Sequence, residues 1–154
     1  MPTLHHTGLT VRDLGRSLAF YRDTLGMEVL FEQEKTGGYL ADIVGYPGAH
    51  VRMAHLAFPG DTQRLELFEY VVPEGRGAPG EPRDVGITHV CLRVDEIDEL
   101  YVRLVAAGAT PLSEPILVDT GANAGGRGVY VRDPDGTILE LFQPRPELEA
   151  EVVA

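Results

Sequence analysis

The chain has 154 residues, 44% of them hydrophobic, and a formal charge of −11 from 13 Lys and Arg against 24 Asp and Glu. That length allows one compact domain or two small halves sharing a core, and the negative charge argues against nucleic acid and anionic membrane surfaces as partners. No apolar run approaches the roughly 20 residues of a membrane span, the start MPTLHHTGLTV lacks the layout of a signal peptide, and the single cysteine, Cys91, rules out an internal disulfide and makes the cytoplasm the expected compartment.

In chain order, LHHTGLTV reads as a strand. DLGRSLAFYRDTLG follows as a helix, with Leu14, Leu18, Tyr21 and Leu25 at helical spacing, Asp13 as N-cap and Gly26 just past the end. Strands are expected at about 27–34, 39–44, 50–58 and 63–70, punctuated by Gly37-Gly38, Pro47-Gly48 and Pro59-Gly60. The segment 73–85 is so rich in Pro and Gly that it reads as a linker. The pattern then restarts. GITHVCLRV is a strand, and DEIDELYVRLVAAG is a helix with Asp95 at its N-cap and Gly108 at its end. Strands follow near 111–118, 126–132 and 137–143, the last two joined by the turn DPDG. The expected organisation is a first module over 1–72, a linker over 73–85, a second module over 86–144 and an acidic tail over 145–154.

The second half repeats the first. With His6 set on His89, an offset of 83 residues, Val11 falls on Val94, Asp13 on Glu96 and Leu14 on Ile97. The tetrapeptide LELF occurs twice, at 65–68 and 139–142. Strand alternation puts Leu65 and Leu67 on one face and Glu66 and Phe68 on the other, and the same division separates Leu139 and Leu141 from Glu140 and Phe142. The first strands match: His6, Gly8 and Thr10 share a face in one half, and His89, Cys91 and Arg93 in the other. Each module thus offers one histidine and one glutamate. Two imidazoles and two carboxylates suit a divalent transition metal. With no thiolate among them, a closed structural zinc site is disfavoured. An octahedral ion so held keeps two positions for substrate oxygens or water. The alternative is that each glutamate faces solvent or pairs with an arginine, Arg64 and Arg132 being near in sequence, and that each histidine is a hydrogen-bonded core residue.

The segments HHTGLTVRDLGRSLAFYRDTLGM, RLELFEY, THVCLRVDEIDEL and VYVRDPDGTILELFQP span residues 4–144 and resemble the vicinal oxygen chelate superfamily, which includes glyoxalases, epimerases, extradiol dioxygenases and bleomycin-binding proteins. The resemblance implies an α+β fold of two paired βαβββ modules forming a curved mixed sheet around a metal cleft. It implies metal ligation by His6, which begins an H-x-G pattern, and by Glu66, His89 and Glu140. The ion would be nickel, cobalt, zinc, manganese or iron. The set is similar to that of the bacterial, nickel- or cobalt-using glyoxalase I, but Thr10 stands where those enzymes carry an arginine, and Tyr70 lies in the region of a missing asparagine. The activity implied is that of a metal-dependent isomerase or epimerase, shifting a proton next to a carbonyl through a metal-bound enediolate, with Glu140 or Glu66 as base. The alternatives are a glyoxalase-like lyase or transferase, an extradiol-type dioxygenase, and a protein that sequesters a small molecule such as an antibiotic. Relatives of this size usually pair, so a homodimer acting on a small substrate with neighbouring oxygens is expected.

Three further features bear on function. The glycine-rich segment 119–131 lacks the Lys-Ser/Thr of a phosphate loop and is expected to be a loop beside the cleft. Arg127 in it is the candidate to meet an anionic substrate group, against the alternative of a solvated arginine. Cys91 is expected to be a buried, inert thiol, against the alternative that it approaches the cleft on the face of His89, and His55 is a candidate second acid-base group in the strand HVRMAHLAF.

Overall fold

The structure is a computed structural model that describes residues 1–77 and 80–146. The acidic tail expected over 145–154 lies, from 147 onward, outside the described residues. The chain forms two compact units, Met1–Ala78 and Pro79–Ala154. The class is α+β, with two mixed sheets.

The first unit runs β1 (Thr7–Val11), α1 (Leu14–Leu18), a π-wound continuation (Ala19–Thr24), β2 (Glu28–Thr36), α2 (Gly38–Val44), β3 (His50–Ala57) and β4 (Leu65–Val72). Its sheet has the order β1-β4-β3-β2, with β1 parallel to β4 and the other pairs antiparallel. Asp13 caps α1, its Oδ1 accepting from the Arg16 N–H at 2.7 Å. Leu9 and Val11 of β1, Leu65 and Leu67 of β4, and Leu14, Leu18 and Tyr21 of the helix are buried. The leucines of the LELF strand thus lie in the core, each large side chain contributing about 1.5–3 kcal/mol.

One expected strand is a helix. The sequence pattern of residues 39–44 predicts extended chain, yet Gly38–Val44 form α2. Its ends explain this. Gly45 takes the left-handed conformation at φ 73° and donates its N–H to the Ala41 carbonyl, closing the helix C-terminus. Leu40, Ala41 and Val44 recur at helical spacing and pack with Ala49, Val51, Met53, Phe68 and Tyr70. The helix therefore covers part of the sheet face that also carries Glu66.

The second unit runs β5 (His89–Arg93), α3 (Ile97–Ala106), β6 (Thr110–Pro111), β7 (Ile116–Leu117), β8 (Arg127–Arg132) and β9 (Ile138–Gln143). Its order is β5-β9-β8-β6, with β7 also on β8 and β5 parallel to β9. The single strand expected over 111–118 is two short pieces, broken where Pro115 lacks a donor N–H. The turn DPDG is pinned by Asp133, whose Oδ1 accepts from Asp135 N at 2.9 Å and Thr137 N at 2.8 Å. Ile97, Leu104, Val129, Val131, Leu139 and Leu141 are buried in this unit.

The N-cap of α3 also differs from expectation. It falls on Glu96, not Asp95, and no side chain of the cap bonds the helix. Gln143, at the end of β9, supplies the acceptor instead: its Oε1 takes the Ile97 N–H at 3.0 Å. The first unit does the same, with Glu69 Oε2 accepting from Leu14 N at 2.9 Å. In each unit the residue three beyond the LELF glutamate anchors the first N–H of the helix. Replacing Gln143 by Ala should cost about 1 kcal/mol in urea unfolding. Glu69→Ala should cost more, since Glu69 also holds Arg52 at 3.2 Å.

Candidate functional site

The parallel ladders set the site residues side by side. In the first unit Gly8 of β1 is the register partner of Glu66 on one side, and His55 of β3 is its partner on the other. His6 lies just before β1, where the Thr7 N–H donates to the Arg64 carbonyl at 2.9 Å and fixes the approach to β4. The His6 Nε2 then sits 3.4 Å from Glu66 Oε2, and the His55 Nε2 lies 3.0 Å from Glu66 Oε1. Each carboxylate oxygen of Glu66 thus meets an imidazole. His55 is buried at 5% exposure and stacks on Phe31 of β2, ring centroids 4.5 Å apart and 22° from parallel. Its Nδ1 is buried without a partner among the described residues. With no side chain, Gly8 leaves the space beside Glu66 open; a Cβ there would lie 3.5 Å from Glu66 Oε2.

The second unit repeats the geometry with different neighbours. Glu140 has Cys91 of β5 and Tyr130 of β8 as register partners. The His89 Nε2 is 3.1 Å from Glu140 Oε2, and the Tyr130 hydroxyl is 3.4 Å from the same imidazole nitrogen. Cys91 corrects an expectation: the residue is exposed rather than buried. Partial burial of its sulfur, the adjacent Glu140 carboxylate and a hydrogen bond to that carboxylate push the thiol up to about 11, so without a bound cation it stays protonated at neutral pH. Burial, then Glu140 and Cys91, likewise raise the Tyr130 phenol.

Arg127 is not brought to Glu140. Alternation along β8 puts Tyr130 on the face of Glu140 and Arg127 on the opposite one, where Arg127 forms a two-pronged ion pair with Asp98 of α3, one contact at 2.8 Å. The arginine sharing the parity of Tyr130 is Arg132, held by the Gly136 carbonyl at 3.1 Å and by Glu81 at 3.4 Å. The glycine-rich segment is closed by reciprocal bonds between Val118 and residues 125–126, at 2.8 and 2.9 Å.

In the first unit a groove of about 610 Å3 is lined by Thr10, Tyr46, Tyr70, Pro73, Glu74, Gly75 and Arg76. Thr10 and Tyr70 share the parity of Gly8 and Glu66 on their strands. The Tyr70 phenol is raised by burial, then by Tyr46 and by Glu66, so the groove and the carboxylate lie within electrostatic reach.

The donor chemistry suits a divalent cation. Each pair is a neutral-capable imidazole beside a carboxylate, with no reactive thiolate. Among the described residues no three His, Cys, Asp or Glu side chains gather to grip an ion together. The convergent units are the two pairs.

His55 and Tyr130 occupy equivalent places opposite the two glutamates. The tight turn at 133–136 makes the position of Tyr130 readable from sequence, but the loop before Leu65 gives no comparable count for His55.

Solved structures share this architecture. A glyoxalase family protein from Bacillus cereus matches with a TM-score of 0.83 at 20% identity, over 94% of this chain and 95% of that one. A glyoxylase/bleomycin resistance protein/dioxygenase domain from Frankia sp. matches at 0.66 and 25% identity, over 94% and 99%. Fold and paired sites define an α+β protein of the glyoxalase type. The model of the Glyoxalase/Bleomycin resistance protein/Dioxygenase superfamily matches residues 3–141, and the chain belongs to that superfamily. Among curated relatives, a 2-epi-5-epi-valiolone epimerase from an Actinomyces species is 31% identical over 145 residues, 90% of this chain and 78% of that one. A probable lactoylglutathione lyase from Vibrio cholerae is 30% identical over 139 residues, 90% and 88%. No helix among the described residues is long and apolar enough to cross a membrane.

In chelator-treated protein Cys91 should react with iodoacetamide at pH 8 at least about tenfold more slowly than free cysteine, the rate climbing as pH approaches 11. Alkylation at the rate of a free thiol would show that its sulfur is neither buried nor close to Glu140.

Proposed function

We propose that the chain is a divalent-metal-dependent isomerase or epimerase that moves a proton on a carbon next to a carbonyl. The observation carrying this reading is the duplicated imidazole–carboxylate pair, His6 with Glu66 and His89 with Glu140. The epimerase among the relatives supports the proton-transfer chemistry, and its named substrate, 2-epi-5-epi-valiolone, is the first compound to try.

In this reading His6, Glu66, His89 and Glu140 hold one divalent ion. When bound, such an ion supplies Lewis-acid stabilisation of negative charge developing beside the carbonyl, worth several kcal/mol. The chain's own groups orient the substrate and move the proton. Glu140 is the better placed of the two glutamates to serve as base. Glu66 has both oxygens against imidazoles, whereas the Glu140 side chain is the more exposed, 27% against 17%. The more exposed carboxylate is the more accessible to a carbon acid.

A glyoxalase-like lyase is the second reading, favoured by relatives named as probable lactoylglutathione lyases. It uses the same proton transfer. The groove bearing Thr10 and Tyr70 is where the two substrates would be distinguished.

Purified protein should carry about one divalent ion per chain, and chelation should abolish exchange of the substrate's carbon-bound hydrogen with deuterium oxide. Nickel, cobalt or manganese should restore it. Exchange that survives complete metal removal excludes the reading, as does ligand binding with no turnover, which would indicate sequestration. Oxygen consumption would indicate a dioxygenase. Comparing 2-epi-5-epi-valiolone with a glutathione thiohemiacetal separates epimerase from lyase. Glu140→Gln should keep its metal and lose about a hundredfold or more in turnover.

The same reading has the chain working as a homodimer, because open sheet edges need cover. Sedimentation at the monomer mass would remove that claim. If the sites draw on both chains, mixing inactive Glu66→Ala and Glu140→Ala proteins should restore part of the activity.

A further inference from the structure

The ring of His55 is unusual in its setting. It is buried, locked against Phe31, and bonded through Nε2 to Glu66 Oε1 at 3.0 Å, while its Nδ1 has no partner among the described residues. An ionised carboxylate only accepts hydrogen bonds, so facing it the ring donates through Nε2. A buried ring nitrogen without a partner is costly whichever form the ring takes. The fold tolerates that cost at the point where the ring reaches Glu66.

We propose that His55 is a positioning residue for Glu66. Its Nε2–H fixes Oε1 and so leaves Oε2, the oxygen 3.4 Å from His6, turned outward as a single-oxygen ligand. Two features make the hold rigid. The register His55–Glu66 sits within an antiparallel ladder continuous from Val51 to Leu56, and Phe31 stacks on the buried ring, so turning it about χ2 would break that contact. Gly8 on the other side offers the carboxylate no competing side chain. Glu140 is held differently: His89 meets its Oε2 at 3.1 Å, the Cys91 thiol donates to the carboxylate, and the Tyr130 hydroxyl lies against His89. The two glutamates therefore differ in what holds them, a buried imidazole N–H for Glu66 and a thiol for Glu140.

This inference rests on Glu66 being a metal ligand, and the test separates the two claims. Cobalt(II) affinity is measured by competition with a chromophoric chelator, with thermal melting as the fold control, for wild type, Glu66→Ala, His55→Phe, His55→Gln and the double variant Glu66→Ala/His55→Phe. Phenylalanine keeps the stacked ring and removes the donor; glutamine places an amide N–H near the position of Nε2. Hydrogen-bond partners of metal ligands typically govern affinity about 10- to 100-fold. The expected result is that His55→Phe weakens cobalt binding about tenfold or more, that His55→Gln recovers most of the loss, and that His55→Phe has no further effect once Glu66 is alanine. If Glu66→Ala binds cobalt as wild type does, the ligand assignment fails. If Glu66→Ala weakens binding but His55→Phe in a folded protein does not, the positioning role is overturned. It is also overturned if the His55 effect persists in the Glu66→Ala background, since His55 would then act on the metal by another route.

Discussion

The parallel pairing of the first and last strand of each unit governs almost everything else. Two strands that run the same way cannot be joined by a tight turn, so the chain must leave and return by a longer route. That route brings the first strand beside the last in a fixed register: Gly8 against Glu66, and Cys91 against Glu140. The alternation of side chains then does two things with one strand. Glu66 and Glu140 emerge on one face, while on the other Glu69 and Gln143 reach the first N–H of a helix. A slip of one residue would lose the helix anchor, bury the glutamate and expose the leucines together. The site geometry is therefore protected by the same register that assembles the core.

The parts of this arrangement that are periodic are legible in the sequence. The LELF repeat and the 83-residue offset locate both glutamates and their histidines, and the helix starts at Leu14 and Ile97 keep that offset. What depends on contacts distant in sequence is not legible. Residues 39–44 carry β-branched and aromatic side chains that favour a strand, yet the bracketing glycines and the packing on Met53 and Phe68 make them a helix. The local sequence points to Asp95 as the cap of α3, but the acceptor comes from Gln143, 46 residues away from Ile97. The loop setting of Arg127 suggests a substrate contact, but as the first residue of β8 its side chain follows strand alternation and meets Asp98. His55 can be suspected from sequence, but its place opposite Glu66 depends on a register that the loop at 58–64 does not reveal.

The duplication is faithful in backbone and divergent in side chains. Where the first unit has Gly8 and His55 about its glutamate, the second has Cys91 and Tyr130. The first carboxylate thus meets two imidazoles, and the second meets one imidazole, His89, and a thiol, with a phenol beside them. Two copies of one motif are free to take different roles.

The two helix anchors have diverged as well, and in a way that salt can read. Glu69 holds its helix with a full charge and leans on Arg52, whereas Gln143 does so as a neutral amide. Charge-assisted contacts weaken as the Debye length shrinks, and dipolar ones hardly change. One helix anchor thereby responds to ionic strength and the other scarcely does, so each serves as the internal reference for its twin.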